Sequence, residues 1–503
     1  MSKQQTIWLT ILIYILFIAT ISIVNHRKSK NMTEFTVGSR NAGGWTSAFS
    51  YGTAYFSAVM FIGYAGASGW KYGLWSVLPG ICNALFGSLL AWIVLAKRTR
   101  AITREHKIKS MPQFFETRFS SVPMRWFSVC VTFIFLLPYS ASVYKGLSSV
   151  CSVLLDVDEL VCMIIIAVAA AMLVVIGGYA AAVKADFFQG IIMLVGVVAL
   201  IIAVVRCEQV GGLEKGLVAI TQKTKELNLN GYHFTGLAAT VLMTSFGTWG
   251  LPQMIHKYYG IKDNKEVKRG TIASTFFALI VAGGGYFIGS LSHLFFEELP
   301  LSPSGTGNPD YIIPNMMIEA SLSNILIGVI LVLLIAASVS TLSSITLTAS
   351  STLTMDALNN YLPEKFKGKN LSIITKIICF LFVVFSFIIA NTNTPILDMM
   401  SYSWGVISGS FLAPYLIALY WKKLNLYGAW AGMLGGFFTA LPPLVAKLFG
   451  LETTIAGFGK LSDMGPHFAC LAMIVSIILC FIGTLVTMKS DKGRNEEFYR
   501  VIN

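Results

Sequence analysis

The sequence predicts an all-α integral membrane protein in which one transmembrane domain occupies residues 1–503. Hydrophobic residues make up 55% of the chain and charged residues only 12%, and the mean hydropathy is +0.70. Soluble proteins carry about 25% charged residues. Apolar windows of about 20 residues, the length of a membrane-spanning helix, recur along the whole chain. No long polar stretch separates them, so we expect the lipid bilayer to surround most of the protein and no separate soluble domain.

Thirteen apolar windows predict membrane-spanning helices, with boundaries good to a few residues. They cover residues 6–26, 45–66, 74–96, 124–154, 158–180, 184–206, 235–257, 270–296, 323–356, 370–392, 395–421, 426–448 and 466–488. The first window lacks a small-residue cleavage site, so we expect a retained helix and not a cleaved signal peptide.

Positively charged side chains concentrate in alternate loops, which predicts the orientation of the chain. They are Arg27, Lys28, Lys30 and Arg40; Lys97, Arg98, Arg100, Arg104, Lys107, Lys109, Arg118 and Arg125; Lys257, Lys262, Lys265, Lys268 and Arg269; Lys365, Lys367 and Lys369; Lys422 and Lys423; and Lys489, Lys492, Arg494 and Arg500. Such loops face the cytoplasm, so the N-terminus is predicted outside and the C-terminus inside. The net charge of +13 reflects this scatter, and no single basic patch suggests a nucleic-acid partner.

Two of the predicted spans are interrupted by glycine and proline. The second span contains Gly52, Gly63 and Gly66, and the seventh contains the sequence SFGTWGLPQM. A broken helix is tolerated at membrane depth only where it lines a cavity or is buried in protein, and such pairs form the binding sites of secondary transporters. The alternative is an unbroken, glycine-rich helix that packs closely on its neighbours.

The ninth span carries an unusual density of hydroxyl groups between residues 335 and 348. On a helix, residues three and four apart share a face, so Ala337, Ser340, Thr341 and Ser344 lie along one stripe. Hydroxyl oxygens are ligands that suit a hard, weakly held cation such as Na⁺. The alternative is that they donate to carbonyls four residues earlier, or that small residues allow close helix packing.

Other side chains in the spans are candidates for function. Lys145 is a lysine inside the fourth span and is expected either to meet a substrate carboxylate or to extend to the outer membrane surface. Asp186, near the inner end of the sixth span, is either functional or part of a surface salt bridge or helix cap. Phe246 and Trp249 are either cavity-lining residues or ordinary membrane aromatics.

Four motifs in order resemble the sodium:solute symporter family. GGYAAAVKADFFQG is similar to the family's GG-x-x-AV-x-x-TD-x-x-Q stretch, with Ala185 in place of the usual threonine. WGLPQMIHKYY resembles its G-x-P-(H/Q) motif, and IAASVSTLSS its A-x-x-ST-x-S segment. SYSWGVISGSFLAPYLIALYWKKLNLYGAWAGMLGG resembles its SYAW…W…N-x-x-GA-x-AG stretch. The resemblance covers residues 35–489.

The resemblance implies a LeuT-like fold with two inverted five-helix repeats. Residues 6–26 would form a leading helix, 45–206 the first repeat, 235–421 the second, and 426–488 two peripheral helices. It also implies Na⁺-coupled symport of a small organic solute by alternating access, across the plasma membrane and without an obligate protein partner.

The resemblance implies sites for Na⁺ and solute. A first Na⁺ would be bound by carbonyls of Thr53, Phe56 and Ala337 and by the hydroxyls of Ser340 and Thr341. A second Na⁺ is expected at Asp186, Ser340, Ser343 and Ser344. The predicted solute contacts are Tyr55, Ser57, Tyr139, Lys145, Phe246, Trp249, Ser401 and Trp404. Tyr55 stands where proline symporters of the family have an aspartate, which weakens a transfer of the proline assignment.

Two other functions remain open from the sequence. The first is a transporter of the same fold that is proton-coupled or ion-independent. If it is proton-coupled, Lys145 or Asp186 would be the titrating group. A membrane-embedded enzyme would need His, Asp or Glu clustered at one depth. The six histidines are dispersed along the chain, so we expect a transporter and not an enzyme.

Overall fold

Helices form most of the described part of the chain, whose structure is a computed structural model. The structure describes residues 3–26, 40–155, 157–229, 234–302, 305–360, 369–392, 394–455, 457, 459–490 and 497–500. Within these ranges the only sheet is an antiparallel pair of two-residue strands, β1 (Thr454–Ile455) and β2 (Gly459–Lys460).

Ten helices precede the second interrupted span. They are α1 (Lys3–His26), α2 (Gly44–Tyr55), α3 (Gly66–Tyr72), α4 (Val77–Cys82), α5 (Lys97–Glu105), α6 (Met111–Phe119), α7 (Val122–Leu155), α8 (Glu159–Ala171), α9 (Gly178–Arg206) and α10 (Leu213–Glu226). Wider π-helical turns continue several of these helices at Met60–Ala65, Asn83–Leu90, Trp92–Ala96 and Met172–Gly177.

Ten more helices complete the fold. They are α11 (Phe234–Phe246), α12 (Pro252–Tyr259), α13 (Asn264–Ser290), α14 (Ile312–Glu319), α15 (Asn324–Thr352), α16 (Lys369–Ala390), α17 (Ile396–Tyr420), α18 (Leu426–Ala440), α19 (Pro442–Leu448) and α20 (Gly465–Val486).

Many of these helices can cross a membrane. In the described part of the chain, ten helical segments are long and apolar enough to do so, and Trp8–Val24 in α1 is a shorter apolar stretch. Helices α2, α11 and α12, with 12, 13 and 8 residues, are each too short to span alone. The all-α membrane class is therefore confirmed, whereas the number thirteen stays a prediction.

The predicted break in the second span is confirmed. Helix α2 ends at Tyr55, and Phe56 takes an extended conformation with φ −104° and ψ 92°. The Oγ of Ser57 accepts a hydrogen bond from the backbone N–H of Val59 at 3.2 Å, which caps the segment that follows. The carbonyls freed at the end of α2 lie in a fully buried segment.

The predicted break in the seventh span is also confirmed. Helix α11 passes into a 3₁₀ turn at Gly247–Gly250, and Leu251 is extended with φ −79° and ψ 119°. Pro252 then begins α12, where its missing N–H costs nothing because the first N–H groups of a helix have no intrahelical partner.

The hydroxyl-rich helix α15 lies at the centre of the fold. Every residue from Ile330 to Thr352 is buried, and its main neighbours are α1, α7 and α9. A helix buried on all sides is expected to be apolar throughout. Its serines and threonines therefore need partners inside the protein and not in lipid or water.

The short helix α6 lies in the basic segment that follows the third span. The Oγ of Ser110 accepts a hydrogen bond from the N–H of Gln113 at 3.2 Å, and Pro112 lies in the first turn.

Several positive charges that support the predicted orientation lie outside the described residues, namely Arg27, Lys28, Lys30, Lys365, Lys367, Lys492 and Arg494.

Two glycines allow α3 and α13 to cross with their backbones in contact. A Cβ atom at Gly289 would collide with the carbonyl of Ala65, and one at Gly69 would collide with the carbonyl of Gly289. We expect Gly289→Ala to destabilise the protein by about 1 to 3 kcal/mol, because neither backbone can move without disturbing its own helix. Thermal unfolding of the purified protein measures this.

The matched control is Gly283→Ala in the same helix. The nearest atom to a Cβ at Gly283 is Cδ1 of Leu279 at 4.0 Å, so the methyl group is accommodated. Alanine is favoured over glycine inside a helix by about 0.5 to 1 kcal/mol, so this variant should equal or exceed the wild-type stability. Equal stability of both variants would contradict the close crossing.

Candidate cation and solute sites

The broken end of α2 lies against the middle of α15. The Oγ1 of Thr341 lies 3.1 Å from the carbonyl oxygen of Thr53 and 3.0 Å from the carbonyl oxygen of Ala337. The last carbonyls of a helix lack an intrahelical partner, so the Thr53 carbonyl is available to a side chain or a cation.

The neighbouring Ser340 extends this group of oxygens. Its Oγ lies 2.8 Å from Oγ1 of Thr53 and 2.5 Å from Oδ1 of Asp186. We call Thr53, Ala337, Ser340 and Thr341 the oxygen cluster; each residue is fully buried. Two helices thus supply carbonyl and hydroxyl oxygens with a carboxylate close by. This donor set fits a hard cation such as Na⁺, which takes oxygen ligands.

A buried lysine lies on the far side of Asp186. The Nζ of Lys257 donates to Oγ of Ser50 at 2.9 Å, to Oγ of Ser344 at 2.8 Å and to Oδ2 of Asp186 at 3.2 Å. The side chains of Lys257 and Asp186 are 4% and 0% exposed, so this is a buried ion pair. Counting Lys257 among the loop cations that orient the chain is therefore wrong, because its charge is neutralised inside the protein.

The four residues expected for a second Na⁺ do not all face the same point. Asp186, Ser340 and Ser344 converge around Lys257 and the oxygen cluster. The hydroxyl of Ser343 instead donates to the carbonyl of Ser340 at 2.8 Å, within its own helix. Back-bonding to the carbonyl four residues earlier, the alternative for the whole stretch, is present at Thr341, whose hydroxyl donates to Ala337, and Ser343 bonds to the carbonyl three residues earlier.

A small cavity lies beside the break in α2. It has a volume of about 10 Å³ and is lined by Tyr55, Phe56, Met60, Tyr64, Asn83, Thr244, Tyr286, Met400 and Trp404. The hydroxyl of Tyr64 and the indole N–H of Trp404 are buried without a hydrogen-bond partner. Buried polar groups are normally paired, so these two donors mark a place where a polar ligand would be stabilised.

Three of the predicted solute contacts lie at or next to this cavity. Tyr55 and Trp404 line it, and the hydroxyl of Tyr55 donates to the carbonyl of Thr244 at 2.6 Å. Tyr139 packs edge-on against Trp404, with ring centroids 5.5 Å apart.

The other predicted contacts point elsewhere. Ser57 caps the segment after the break, and the hydroxyl of Ser401 donates to the carbonyl of Asp398 at 2.9 Å. Phe246 stacks on Phe86 with ring centroids 5.4 Å apart. The indole N–H of Trp249 donates to the carbonyl of the same Phe86 at 3.0 Å. None of these residues is among those that line the cavity.

Lys145 is also directed away from the cavity. Its Nζ donates to the carbonyl oxygens of Thr392 and Thr394 at 2.7 and 2.9 Å, between α16 and α17. This agrees with the alternative of extension to the membrane surface. Asp310 lies nearby, in the loop before α14. Burial raises the pKa of its carboxyl to about 6, although the positive charge of Lys145 acts to lower that pKa.

Several functional candidates were missed from the sequence. Tyr64, Asn83, Thr244, Tyr286 and Met400 line the cavity, and Lys257 pairs with Asp186. Asn83 was detectable as an isolated amide within an apolar window. Lys257 lies at the inner end of a predicted span, as several other lysines do. Its neighbours in the sequence do not distinguish it from them.

Comparison with known proteins shows which family the chain resembles. The model of the sodium:solute symporter family matches residues 35–436. The sodium/pantothenate symporter of Haemophilus influenzae is 26% identical over 463 residues, which cover 89% of this chain and 92% of that protein. The high-affinity proline transporter PutP of Bacillus subtilis is 25% identical, over 94% of this chain and 96% of that protein.

Solved structures share the fold. A substrate-bound, outward-open Na⁺-coupled sialic acid symporter superposes with a TM-score of 0.72 at 17% identity, covering 95% of this chain and 98% of that one. Mhp1, a nucleobase-cation-symport-1 family transporter, superposes with a TM-score of 0.58 at 14% identity, covering 93% and 97%. The chain therefore has the LeuT-like fold.

The family match covers most of the chain, and the relatives align along nearly their full lengths. The family is one of transporters, which excludes the enzyme alternative. The broken helices and the oxygen cluster lie within the matched residues. The chain therefore belongs to the sodium:solute symporter family, and it is a multi-pass membrane protein that couples solute transport to Na⁺.

Proposed function

We propose that this protein carries a small organic solute by alternating access, driven by Na⁺ bound at the oxygen cluster with the carbonyl of Phe56. The observation that carries the proposal is the contact of Thr53, at the broken end of α2, with Ser340 and Thr341 of α15. Thr53 lies on α2, and the other residues of the oxygen cluster lie on α15. An ion bound by the cluster would therefore hold these two helices together.

The coupling follows from linkage between binding and conformation. A cation that binds only when α2 and α15 are adjacent stabilises that arrangement by its differential affinity for the two states. The membrane potential adds about 2.3 kcal/mol per elementary charge per 100 mV, which corresponds to tens-fold accumulation for one Na⁺. Release of Na⁺ to the cytoplasm would allow the two helices to separate and the solute to leave.

The solute is proposed to bind at the cavity beside Tyr55 and Trp404. Its lining is aromatic and neutral, with hydroxyl, amide and indole groups and no charged side chain among the residues named for it. This favours a small solute with an apolar body and a few hydrogen-bonding groups. A volume of about 10 Å³ holds roughly one water molecule, so the lining side chains must move for a solute to enter.

We infer thirteen spans with an external N-terminus and a cytoplasmic C-terminus. Ten long apolar helices, α1 and the two interrupted segments together support that number. The inferred organisation keeps 6–26 as a leading helix, 45–206 and 235–421 as inverted repeats, and 426–488 as peripheral helices. The two interrupted segments then occupy corresponding positions in the repeats.

The proposal is tested in two stages. Thermal unfolding of the purified protein is measured with proline, pantothenate, sialic acid and other small solutes, each in Na⁺ and in choline at equal ionic strength. We expect one class of solute to raise the unfolding temperature in Na⁺ only, because ligand binding to the native state stabilises it.

Uptake of that solute into proteoliposomes then identifies the driving ion. We expect accumulation under an inward Na⁺ gradient and none under a pH gradient alone. Accumulation driven by the pH gradient without Na⁺ would overturn sodium coupling in favour of the proton-coupled alternative. A solute that stabilises equally in choline would also contradict the proposal.

A further inference from the structure

The ammonium group of Lys257 has a complete set of oxygen partners. It bonds to Ser50 of α2, Ser344 of α15 and Asp186 of α9 at 2.8 to 3.2 Å. A lysine ammonium has three donors, so these contacts use all of them. Lys257 itself lies in α12, the second half of the interrupted seventh span. One positive charge therefore connects four separate helices.

The partners of Lys257 overlap the ligands expected for a second Na⁺. Asp186 and Ser344 contact the ammonium directly, and Ser340 contacts the other carboxylate oxygen at 2.5 Å. Ser343, the remaining expected ligand, donates to its own helix. Each oxygen of the Asp186 carboxylate thus already has a partner within the protein, and Oδ2 accepts from Ser50 as well.

We propose that the ammonium of Lys257 is a permanent cation in the position of the second Na⁺, so this protein binds one Na⁺ per transport cycle. This inference rests on the proposed function, since it counts the ions of that same coupling machinery. The carboxylate of Asp186 is neutralised by Lys257, and the first Na⁺ is bound by the neutral oxygens of the oxygen cluster.

The space around the ammonium also excludes a further ion. A cavity of about 10 Å³ adjoins it and is lined by Tyr179, Ala182, Gln253, His256, Lys257, Ser344, Leu347 and Thr348. Both polar atoms of the Gln253 amide are buried without a partner, so a water molecule suits this space. No carboxylate is among these lining residues. A sodium ion here would lie beside the Lys257 ammonium, and because the Asp186 carboxylate already neutralises that ammonium, the added positive charge would be uncompensated.

The same contacts connect Lys257 to the first site. From its ammonium, hydrogen bonds run through the Asp186 carboxylate to Ser340 and on to Thr53 in the oxygen cluster. Lys257 is thus a positioning residue for the first Na⁺, because it fixes the orientation of the carboxylate to which Ser340 bonds. It does not itself contact that ion's expected ligands at Thr341 or Ala337.

The test counts bound sodium ions and needs no knowledge of the solute. Binding of ²²Na⁺ to the purified protein is measured to saturation, with choline keeping the ionic strength constant. We expect one Na⁺ per wild-type chain. Lys257→Met opens the position beside Asp186 and should bind two, whereas Lys257→Arg keeps the charge and should bind one.

Lys184→Met is the matched control. Lys184 is an exposed lysine two residues before Asp186 in the same helix, so its removal changes the charge nearby without opening the site. This variant should bind one Na⁺. The double variant Lys257→Met/Asp186→Asn removes both charges and should also return to one.

The outcomes separate this inference from the proposed function. Two Na⁺ per wild-type chain would overturn the inference and leave sodium coupling intact. A single Na⁺ in a folded Lys257→Met variant would also overturn it. No Na⁺ binding by the wild type would overturn the proposed function and this inference together. If Lys257→Met does not fold, the wild-type count still decides.

Discussion

Replacing Ser340 and Thr341 together by alanine should raise the Na⁺ concentration for half-saturation about a hundredfold. Both hydroxyls lie within hydrogen-bond distance of Thr53, and both would be lost as ligands. If each lost oxygen ligand costs about as much as the weaker hydrogen bonds to charged groups, about 1.5 kcal/mol, the two together cost about 3 kcal/mol, which is about a hundredfold at 1.4 kcal/mol per tenfold in affinity. The measurement is the Na⁺ dependence of the unfolding temperature, with choline as the balancing salt.

A control from the same helix distinguishes lost ligands from lost packing. The hydroxyls of Ser338 and Thr346 are buried in α15 without a hydrogen-bond partner. Ser338→Ala/Thr346→Ala therefore removes two hydroxyls from the same helix but none from the oxygen cluster, and its Na⁺ dependence should match the wild type. A Ser340→Ala/Thr341→Ala variant with wild-type Na⁺ dependence would exclude the oxygen cluster as the Na⁺ site.

Breaking the buried ion pair from either side should destabilise the protein by about 3 to 5 kcal/mol. Asp186→Asn leaves the Lys257 ammonium without its counter-ion, and Lys257→Met leaves the Asp186 carboxylate unpaired. An uncompensated buried charge costs far more than the pair itself contributes. The double variant Lys257→Met/Asp186→Asn removes both charges and should be more stable than either single variant, as measured by thermal unfolding without Na⁺.

An exposed ion pair provides the comparison. Arg269 contacts Glu266 at 2.7 Å, but its side chain is 53% exposed. Arg269→Met should therefore change the stability by less than about 1 kcal/mol, because solvent screens the charges. Single variants of the buried pair that are as stable as Arg269→Met would contradict the pairing of Lys257 with Asp186, as would strict additivity in the double variant.

The class of protein and the presence of two interrupted spans could be predicted from the sequence. Apolar length and composition determine membrane insertion, and both are local properties. Glycine and proline mark the break after α11, which ends beside Gly247, but α2 continues through Gly52 and ends at Tyr55, so the exact position of that break was not visible in the order of residues. The crowding of hydroxyls on α15 likewise indicated a polar centre, and its contact with Thr53 is present in the structure.

The partners of charged side chains could not be predicted in the same way. Lys145 lies inside an apolar window and was a candidate solute contact, whereas Lys257 lies at the end of one and was counted with the loop charges. The structure directs Lys145 to the carbonyls of Thr392 and Thr394, and it buries Lys257 against Asp186. Which of the aromatic residues line the solute cavity could not be predicted either. Tyr55 and Trp404 line it. Phe246 and Trp249 instead pack on Phe86.

The sequence by itself determined that this chain crosses the membrane many times, that two of its spans are interrupted and that a third is rich in hydroxyl groups. These features follow from interactions of each residue with lipid and with its own neighbours along the chain. Only the tertiary structure decided that the Asp186 carboxylate is neutralised by Lys257, 71 residues away in sequence. Pairing of buried charges depends on distance in space, and helix packing alone determines that distance.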